Sequence, residues 1–110
     1  MIIDQNENTA IITQENASVI ELVKKIETLY PKFKNNNIIV NLNSAQPIKL
    51  EETIEFLRVS NQHRKAKHSF VIVNEGIDTE TTPDEIIIVP TLQEAHDIIE
   101  MEIMERDLGF

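Results

Sequence analysis

The chain has 110 residues, of which 41% are hydrophobic and 26% are charged, a composition typical of soluble globular proteins. This length suits one domain that buries roughly two-thirds of its unfolded surface, so we expect a single domain over residues 1–110. Cysteine is absent, which excludes disulfides, thiolate metal sites and a cysteine nucleophile.

The net charge of −9 argues against nonspecific binding to nucleic acid, because the phosphates would be repelled. The first residues carry no signal-peptide pattern of positive charge followed by an apolar stretch. No apolar run approaches the roughly 20 residues that a membrane span needs. We therefore expect a cytoplasmic protein that binds neither nucleic acid nor membrane.

Two short apolar segments open the chain, at residues 1–4 and 9–13, and the polar stretch Gln5-Asn6-Glu7-Asn8 separates them. This pattern predicts a β-hairpin. A helix is predicted to begin at Ser18, since Ser18 and Glu21 have capping-box spacing. Its apolar residues recur with helical periodicity, and we expect Pro31 to interrupt or end it near Tyr30.

A buried strand is predicted at residues 37–42, followed by a second helix over residues 50–66. That helix is expected to bury Leu50, Thr53, Ile54, Leu57 and Ser60 on one side. Residues 69–73 and 86–89 are continuous apolar runs rich in β-branched residues, as in strands covered on both faces. A last helix is predicted from Thr91, which has capping-box spacing to Glu94, to about Leu108.

Strands that alternate with helices at these lengths indicate parallel pairing. The predicted fold class is therefore α/β, with a mostly parallel sheet of four to five strands, an N-terminal hairpin and about three main helices.

One segment of the chain carries a family resemblance. Residues 38–43 (Ile-Ile-Val-Asn-Leu-Asn) form the predicted strand and its end, and a loop leads to a helix near Leu50. In α/β sheets, binding sites usually lie in the loops after the carboxyl ends of strands. The segment resembles the signature of STAS domains, the sulfate-transporter and anti-sigma-factor-antagonist family, in which a strand ending Asp-Leu-Ser leads into Asp-Ser-Ser-Gly at a helix start.

The resemblance extends over nearly the whole chain. It includes the order of the predicted elements, apart from a shortened third helix. It also includes the ending Ile88-Val89-Pro90-Thr91-Leu92-Gln93-Glu94-Ala95, which is similar to the strand, turn and helix that commonly close STAS domains. The resemblance implies a STAS-like fold and a role in a bacterial regulatory system.

The phosphoacceptor motif of that family is degenerate in this chain. The positions that match Asp-Ser-Ser-Gly are Lys49, Leu50, Glu51 and Glu52. In phosphoregulated STAS proteins a partner kinase phosphorylates the first serine, and the matching Leu50 has no hydroxyl group. This loop is either a helix start whose acids favour the dipole or a permanently charged partner surface.

The three histidines, His63, His68 and His96, do not form a metal-binding motif. The zinc enzymes of the ribonuclease Z class need His-x-His-x-Asp-His and further ligands, and this spacing is missing here. We expect histidines that are solvated or that cap helix ends, no metal and no cofactor.

A basic segment, His63-Arg64-Lys65-Ala66-Lys67-His68, lies at the C-terminal end of the second predicted helix. The favoured interpretation is that these cations complement the dipole at the helix C-terminus. A patch for nucleic acid or an acidic partner is the alternative, although aromatic residues for base stacking are not interleaved.

The last predicted helix carries two apolar stripes. Leu92, Ala95, Ile99 and Ile103 form the predicted core stripe, and Met101, Met104 and Leu108 fall roughly opposite it, followed by Phe110. Adaptable methionine side chains suit a contact surface, so these four residues are a candidate surface for a protein partner or a homodimer. A helix buried on two sides, or a frayed end, is the alternative.

The sequence thus predicts a non-enzymatic, STAS-like protein-binding module without the usual serine switch and without catalytic residues. The alternative is a small-ligand or nucleotide-binding accessory subunit of a partner enzyme.

Overall fold

Among the residues that the structure describes, five strands form one sheet: β1 (Ile2–Gln5), β2 (Thr9–Thr13), β3 (Asn37–Asn41), β4 (Phe70–Val73) and β5 (Ile87–Val89). The strands lie side by side in chain order. β1 pairs antiparallel with β2, and the other neighbours pair in parallel. This computed structural model describes residues 2–6, 8–14, 18–43, 49–76, 82 and 84–109.

Helices cover both faces of this sheet. They are α1 (Val19–Phe33), α2 (Leu50–Ile54), α3 (Leu57–Lys65) and α4 (Leu92–Asp107). Successive side chains of a strand point to opposite faces. β4 is therefore apolar at every position and β3 at its three central positions, since both of their faces are covered.

The two faces of the sheet are covered unequally. On one face, residues of α1 and α3 pack against the strand residues Ala10, Ile12, Ile38, Val40, Phe70, Ile72 and Ile88. On the other face, α4 is the one helix of the described residues that packs against Ile39, Val71 and Val73, with Ala95 and Ile99 as its buried residues. The predicted core stripe of the last helix is confirmed.

The start of α1 agrees with its prediction, and its end does not. The Ser18 hydroxyl accepts a hydrogen bond from the Glu21 backbone N–H at 3.2 Å. The helix continues through Pro31 to Phe33, which is buried, so the expected interruption near Tyr30 is wrong. Pro31 lies in the last turn and is exposed. Its missing N–H removes a single bond there, and water can satisfy the freed carbonyl.

The predicted helix over residues 50–66 is two helices, α2 and α3, separated by a turn at Glu55 and Phe56. The break changes which residues face the core. Ile54 is 47% exposed, whereas Phe56, Val59 and His63 are buried together with Thr53 and Ser60. Leu57 is half-buried against the same cluster. The expected burial of Ile54 is therefore wrong, and the neighbouring Thr53 is the α2 residue that faces the core.

The hairpin, the mostly parallel sheet and the α/β class are confirmed. The Cα radius of gyration is 12.9 Å, close to the value of about 13 Å expected for a compact chain of this length. The observed helices number four among the described residues because the second prediction is split.

Candidate functional site

The STAS-like motif lies at the carboxyl end of β3, on the way to α2. Residues 44–48 of its loop lie outside the described residues, as does the side chain of Leu50, the first residue of α2. Lys49 and Glu51 are exposed, and Glu52 is half-buried. The motif-equivalent positions therefore start a helix at the surface, in the position relative to β3 that the sequence predicts.

The Glu52 side chain caps the start of α2. Its Oε1 accepts a hydrogen bond from the Lys49 backbone N–H at 3.0 Å, which is one half of a capping box. Lys49 cannot supply the other half, because an ammonium group has no acceptor. The acids of this first turn are favoured by the helix dipole, and they disfavour a phosphate at the same place.

Two described hydroxyl groups close to this motif are inaccessible. Thr53, in α2, and Ser60, in α3, are both fully buried. A kinase must bring its substrate hydroxyl into line with the transferred phosphoryl group, and a buried side chain cannot reach that geometry without unfolding.

Asparagine amides hold together the carboxyl ends of the central strands, a feature that the sequence analysis missed. Asn43 donates from Nδ2 to the Pro90 carbonyl at 3.0 Å and accepts from the Glu75 N–H at 2.9 Å. Asn74 donates from Nδ2 to the Leu42 carbonyl at 3.2 Å. These side chains join β3, β4 and the β5–α4 turn, so their polar groups are used for structure.

The other predicted site, on α4, is exposed. Met101, Met104 and Leu108 are 51%, 63% and 70% exposed, and we call these three residues the α4 outer face. At 100° per residue they fall within one narrow sector of the helix, opposite the core stripe. Phe110, the fourth predicted contact residue, lies outside the described residues.

Acidic side chains surround the α4 outer face. The exposed positions of α4 comprise the two methionines, Gln93 and five acids, and they include no lysine or arginine: the acids are Glu94, Asp97, Glu100, Glu105 and Asp107. The exposed side of this helix is therefore an apolar stripe flanked by carboxylate side chains.

A buried polar group lies at the opposite end of the sheet, around His63. The Tyr30 hydroxyl donates to His63 Nδ1 at 2.8 Å, and His63 Nε2 donates to the Asn36 carbonyl at 2.6 Å. This arrangement assigns the proton of the neutral ring to Nε2. His68 stacks on His63, with ring centroids 5.2 Å apart.

Burial is the main influence on both histidines. It lowers the pKa of His63 to about 4, against the Asn36 hydrogen bond that raises it, and His68 and Arg106 lower it further. Burial also lowers the pKa of His68, with a second contribution from Arg106. The expectation of solvated or capping histidines is wrong for His63, which is fully buried. A helical spacing signal was present, since Phe56, Val59, Ser60 and His63 recur at three- and four-residue intervals.

No cluster of three or more His, Asp or Glu side chains suited to a metal ion is found in the described part of the chain. Within that same part, no helix combines the length and apolarity needed to cross a bilayer. No protein-family model matches the chain, and no curated protein matches it significantly.

Proposed function

We propose that this protein is a non-enzymatic, STAS-like protein-binding module of a bacterial cytoplasmic regulatory system, and that its partner binds the α4 outer face. The observation that carries the proposal is the exposure of Met101, Met104 and Leu108 on one side of a helix whose other side is core. Scattered exposed apolar residues are normal, whereas a continuous stripe indicates a contact surface.

The charge around the stripe indicates the chemistry of the partner. Five exposed acids of α4 would be brought close to each other in a two-fold homodimer, because such an interface pairs the same patch from both copies. Like charges across an interface oppose association. We therefore expect a different protein, which offers apolar side chains flanked by lysine or arginine, and a homodimer through this face is the outcome that would contradict this choice.

The element order supports the STAS-like part of the proposal. The described elements run from a hairpin through α1, β3, α2, α3, β4 and β5 to a last helix. The resemblance implies this order, with a third helix that is shortened in this chain. The exposed helix start at Lys49 and Glu51 lies where STAS proteins meet their partners by that resemblance, and it offers a second, smaller contact.

Substitution of Met104 tests the α4 outer face. A partner enriched from the native cell would be purified, and its affinity measured by titration calorimetry. Met104→Glu should weaken binding at least tenfold, since a charge at the centre of an apolar contact loses about 1.4 kcal/mol or more. Added salt should weaken wild-type binding as well, because the flanking charges attract a basic partner.

The matched control is Ile20→Glu, because Ile20 is 53% exposed on α1, at the opposite face of the sheet. It should leave affinity unchanged, and both variants should unfold at the wild-type temperature. Equal affinities for the two variants would contradict the assignment of the surface. A loss of stability confined to Met104→Glu would show that this side chain belongs to the core.

The missing phosphoacceptor gives a second test. An anti-sigma-type serine kinase with radiolabelled ATP should not phosphorylate the protein, because Leu50 stands at the acceptor position and the hydroxyls of Thr53 and Ser60 are buried. A STAS protein with an intact Asp-Ser-Ser-Gly motif, incubated with the same kinase, is the positive control. Stoichiometric label on any serine or threonine of this chain would refute the proposal of a module without the switch.

A further inference from the structure

A basic cleft lies at the amino ends of β3 and β4, away from both surfaces considered above. It is a cavity of about 320 Å³ between the ends of α3 and α4, lined by Arg64, Lys67, His68, Glu102, Arg106 and Gly109. Arg106 Nη2 reaches the floor of this region, where it lies 3.5 Å from Asn37 Oδ1 and 3.3 Å from Ser69 Oγ. Small-molecule sites usually have volumes of about 300–1,000 Å³, so the cleft has the size of a metabolite site.

The charge of the cleft is opposite to that of the whole protein. Arg64, Lys67 and Arg106 are cations at neutral pH, and among the described residues of the lining Glu102 is the one acid. The chain as a whole carries −9. Three cations around one cavity repel each other, and a bound anion would remove that repulsion.

These cations are not needed to end α3. The His68 N–H donates to the His63 carbonyl at 3.3 Å, and the Lys67 N–H donates to the Arg64 carbonyl at 3.0 Å. This pair of bonds is a Schellman motif, which satisfies the last carbonyls of a helix with backbone donors. The basic side chains of this segment are therefore not needed to cap α3, and they can serve another role.

Lys67 occupies a backbone position that favours glycine. Its φ is +66°, in the left-handed region, where a side chain costs roughly 1–2 kcal/mol. Within the described residues, the Lys67 ammonium forms no hydrogen bond or ion pair that would offset this cost. Unfavourable backbone positions occupied by side chains cluster at ligand-binding sites, and this one places an ammonium group at the cleft.

The guanidinium donors of the cleft are incompletely used. Arg64 Nη2 pairs with Glu102 Oε2 at 3.4 Å, while Arg64 Nη1 is buried with no hydrogen-bond partner among the described residues. The two contacts of Arg106 are long for hydrogen bonds. An arginine donor left without an acceptor carries a desolvation penalty, which an oxyanion with several acceptor oxygens would relieve.

We propose that the basic cleft binds a small phosphate-bearing molecule, whose phosphate group lies between Arg64, Lys67 and Arg106. Arginine and lysine together are the residues that recognise phosphate, through fork-like hydrogen bonds and point charge. A nucleic-acid strand is disfavoured because the protein as a whole is acidic and would repel its phosphates. The site is independent of the α4 outer face, which lies on the other side of that helix.

His68 provides a direct signal of binding. Its ring lines the cleft with Arg64 and Lys67 from the α3 end and with Glu102 and Arg106 from α4, and it stacks on His63. A phosphate in the cleft would favour the charged form of the ring and raise the pKa of His68. The ring resonances of His68 in NMR spectra should therefore shift with added ligand in a saturable way.

The experiment titrates the protein with inorganic phosphate, glycerol phosphate and pyrophosphate, with acetate as the carboxylate control, at constant ionic strength. We expect saturable His68 shifts with a Kd below about 1 mM for at least one phosphate compound, and none with acetate. Lys67→Gly should weaken binding at least about tenfold, and because glycine suits this backbone position, the variant should fold.

The matched control is Lys65→Gln, which removes an equal charge from an exposed residue beside the cleft that does not line it. It should bind like the wild type, and Arg106→Gln should bind like Lys67→Gly. Saturation by none of the phosphate compounds would overturn the proposal, as would equal affinities for Lys67→Gly and Lys65→Gln. Binding of a single-stranded RNA without binding of the small phosphates would replace it with a polymer site.

Discussion

Both ring nitrogens of His63 are occupied inside the core, and this fixes the charge of the residue. The Asn36 carbonyl requires a donor at Nε2, and the Tyr30 hydroxyl can then donate to Nδ1. The neutral ring meets both contacts with the hydroxyl as the donor. A protonated ring would turn Nδ1 into a donor facing another donor, unless the tyrosine hydroxyl rotated, so protonation and tight packing oppose each other at this position.

The lowered pKa of His63 predicts a loss of stability in mild acid. In the unfolded chain His63 takes up a proton near pH 6.5, whereas in the folded protein it does so only near pH 4. The contribution of His63 is therefore fully present above pH 6.5 and is lost as the pH falls toward 4. Over that window the free energy of unfolding should fall by an amount on the order of 3 kcal/mol from this residue alone.

Urea unfolding at a series of pH values between 7 and 4 would measure this loss. His63→Gln keeps a donor and an acceptor but does not titrate, so its stability should depend less steeply on pH than that of the wild type. His96→Gln, on α4, is the control and should follow the wild type. A His63 ring resonance that titrates near pH 6.5, as for a solvated histidine, would contradict the prediction.

The sequence could not reveal the surroundings of these polar residues. Asn36 and Asn37 lie in a polar run where the chain enters β3, and both are buried. Their partners are 27 to 32 positions away in the chain, at His63 and Ser69. Local periodicity carries no information about such distant pairs, which depend on how α3 and β4 meet β3.

At the scale of elements, the end of α3 offers a stabilising substitution. Lys67→Gly should raise the free energy of unfolding by about 0.5–1 kcal/mol, because glycine adopts the left-handed conformation without steric cost. The melting temperature should rise by about 2–4 °C, as measured by calorimetry. The gain is reduced by the greater freedom of glycine in the unfolded chain.

Lys65→Gly, at the last helical residue of α3, is the control of opposite sign. Glycine there lowers helix propensity by up to about 1 kcal/mol relative to the better helix formers, so this variant should be less stable than the wild type. A Lys67→Gly variant that melts below the wild type would mean that the lysine side chain supports the fold rather than the cleft.

Element boundaries were predictable where a local signal decides them and unpredictable where packing decides them. Ser18 and Thr91 cap their helices through hydroxyl acceptors, as the spacing to Glu21 and Glu94 predicts. The turn at Glu55 and Phe56 has no glycine or proline to announce it. It places Phe56 in the core beside Phe70, at a ring-centroid distance of 6.3 Å, so tertiary packing overrides a continuous helical pattern.

At the scale of the whole molecule, fold and function differ in how much the sequence reveals. The class of the fold follows from continuous apolar strands and amphipathic helices, which are repeated signals along the chain. The basic cleft follows from three separate segments that the fold brings together, around Arg64, Ser69 and Arg106. The charges of the basic segment are visible in the sequence, and an interaction with the helix dipole is enough to explain them there. The structure shows that backbone N–H groups already satisfy the last carbonyls of α3.

The strands lie in the sheet in the same order as in the chain, and this has a consequence for biosynthesis. As the polypeptide leaves the ribosome, each new strand emerges next to the strand with which it pairs, so the sheet can grow in the direction of translation. Within the described part of the chain, α4 follows all five strands and is the helix that covers the side of the sheet that contains Ile39, Val71 and Val73. Until its synthesis is complete, a nascent chain presents that apolar side to solvent, and exposed apolar surface of this kind makes folding intermediates prone to aggregate.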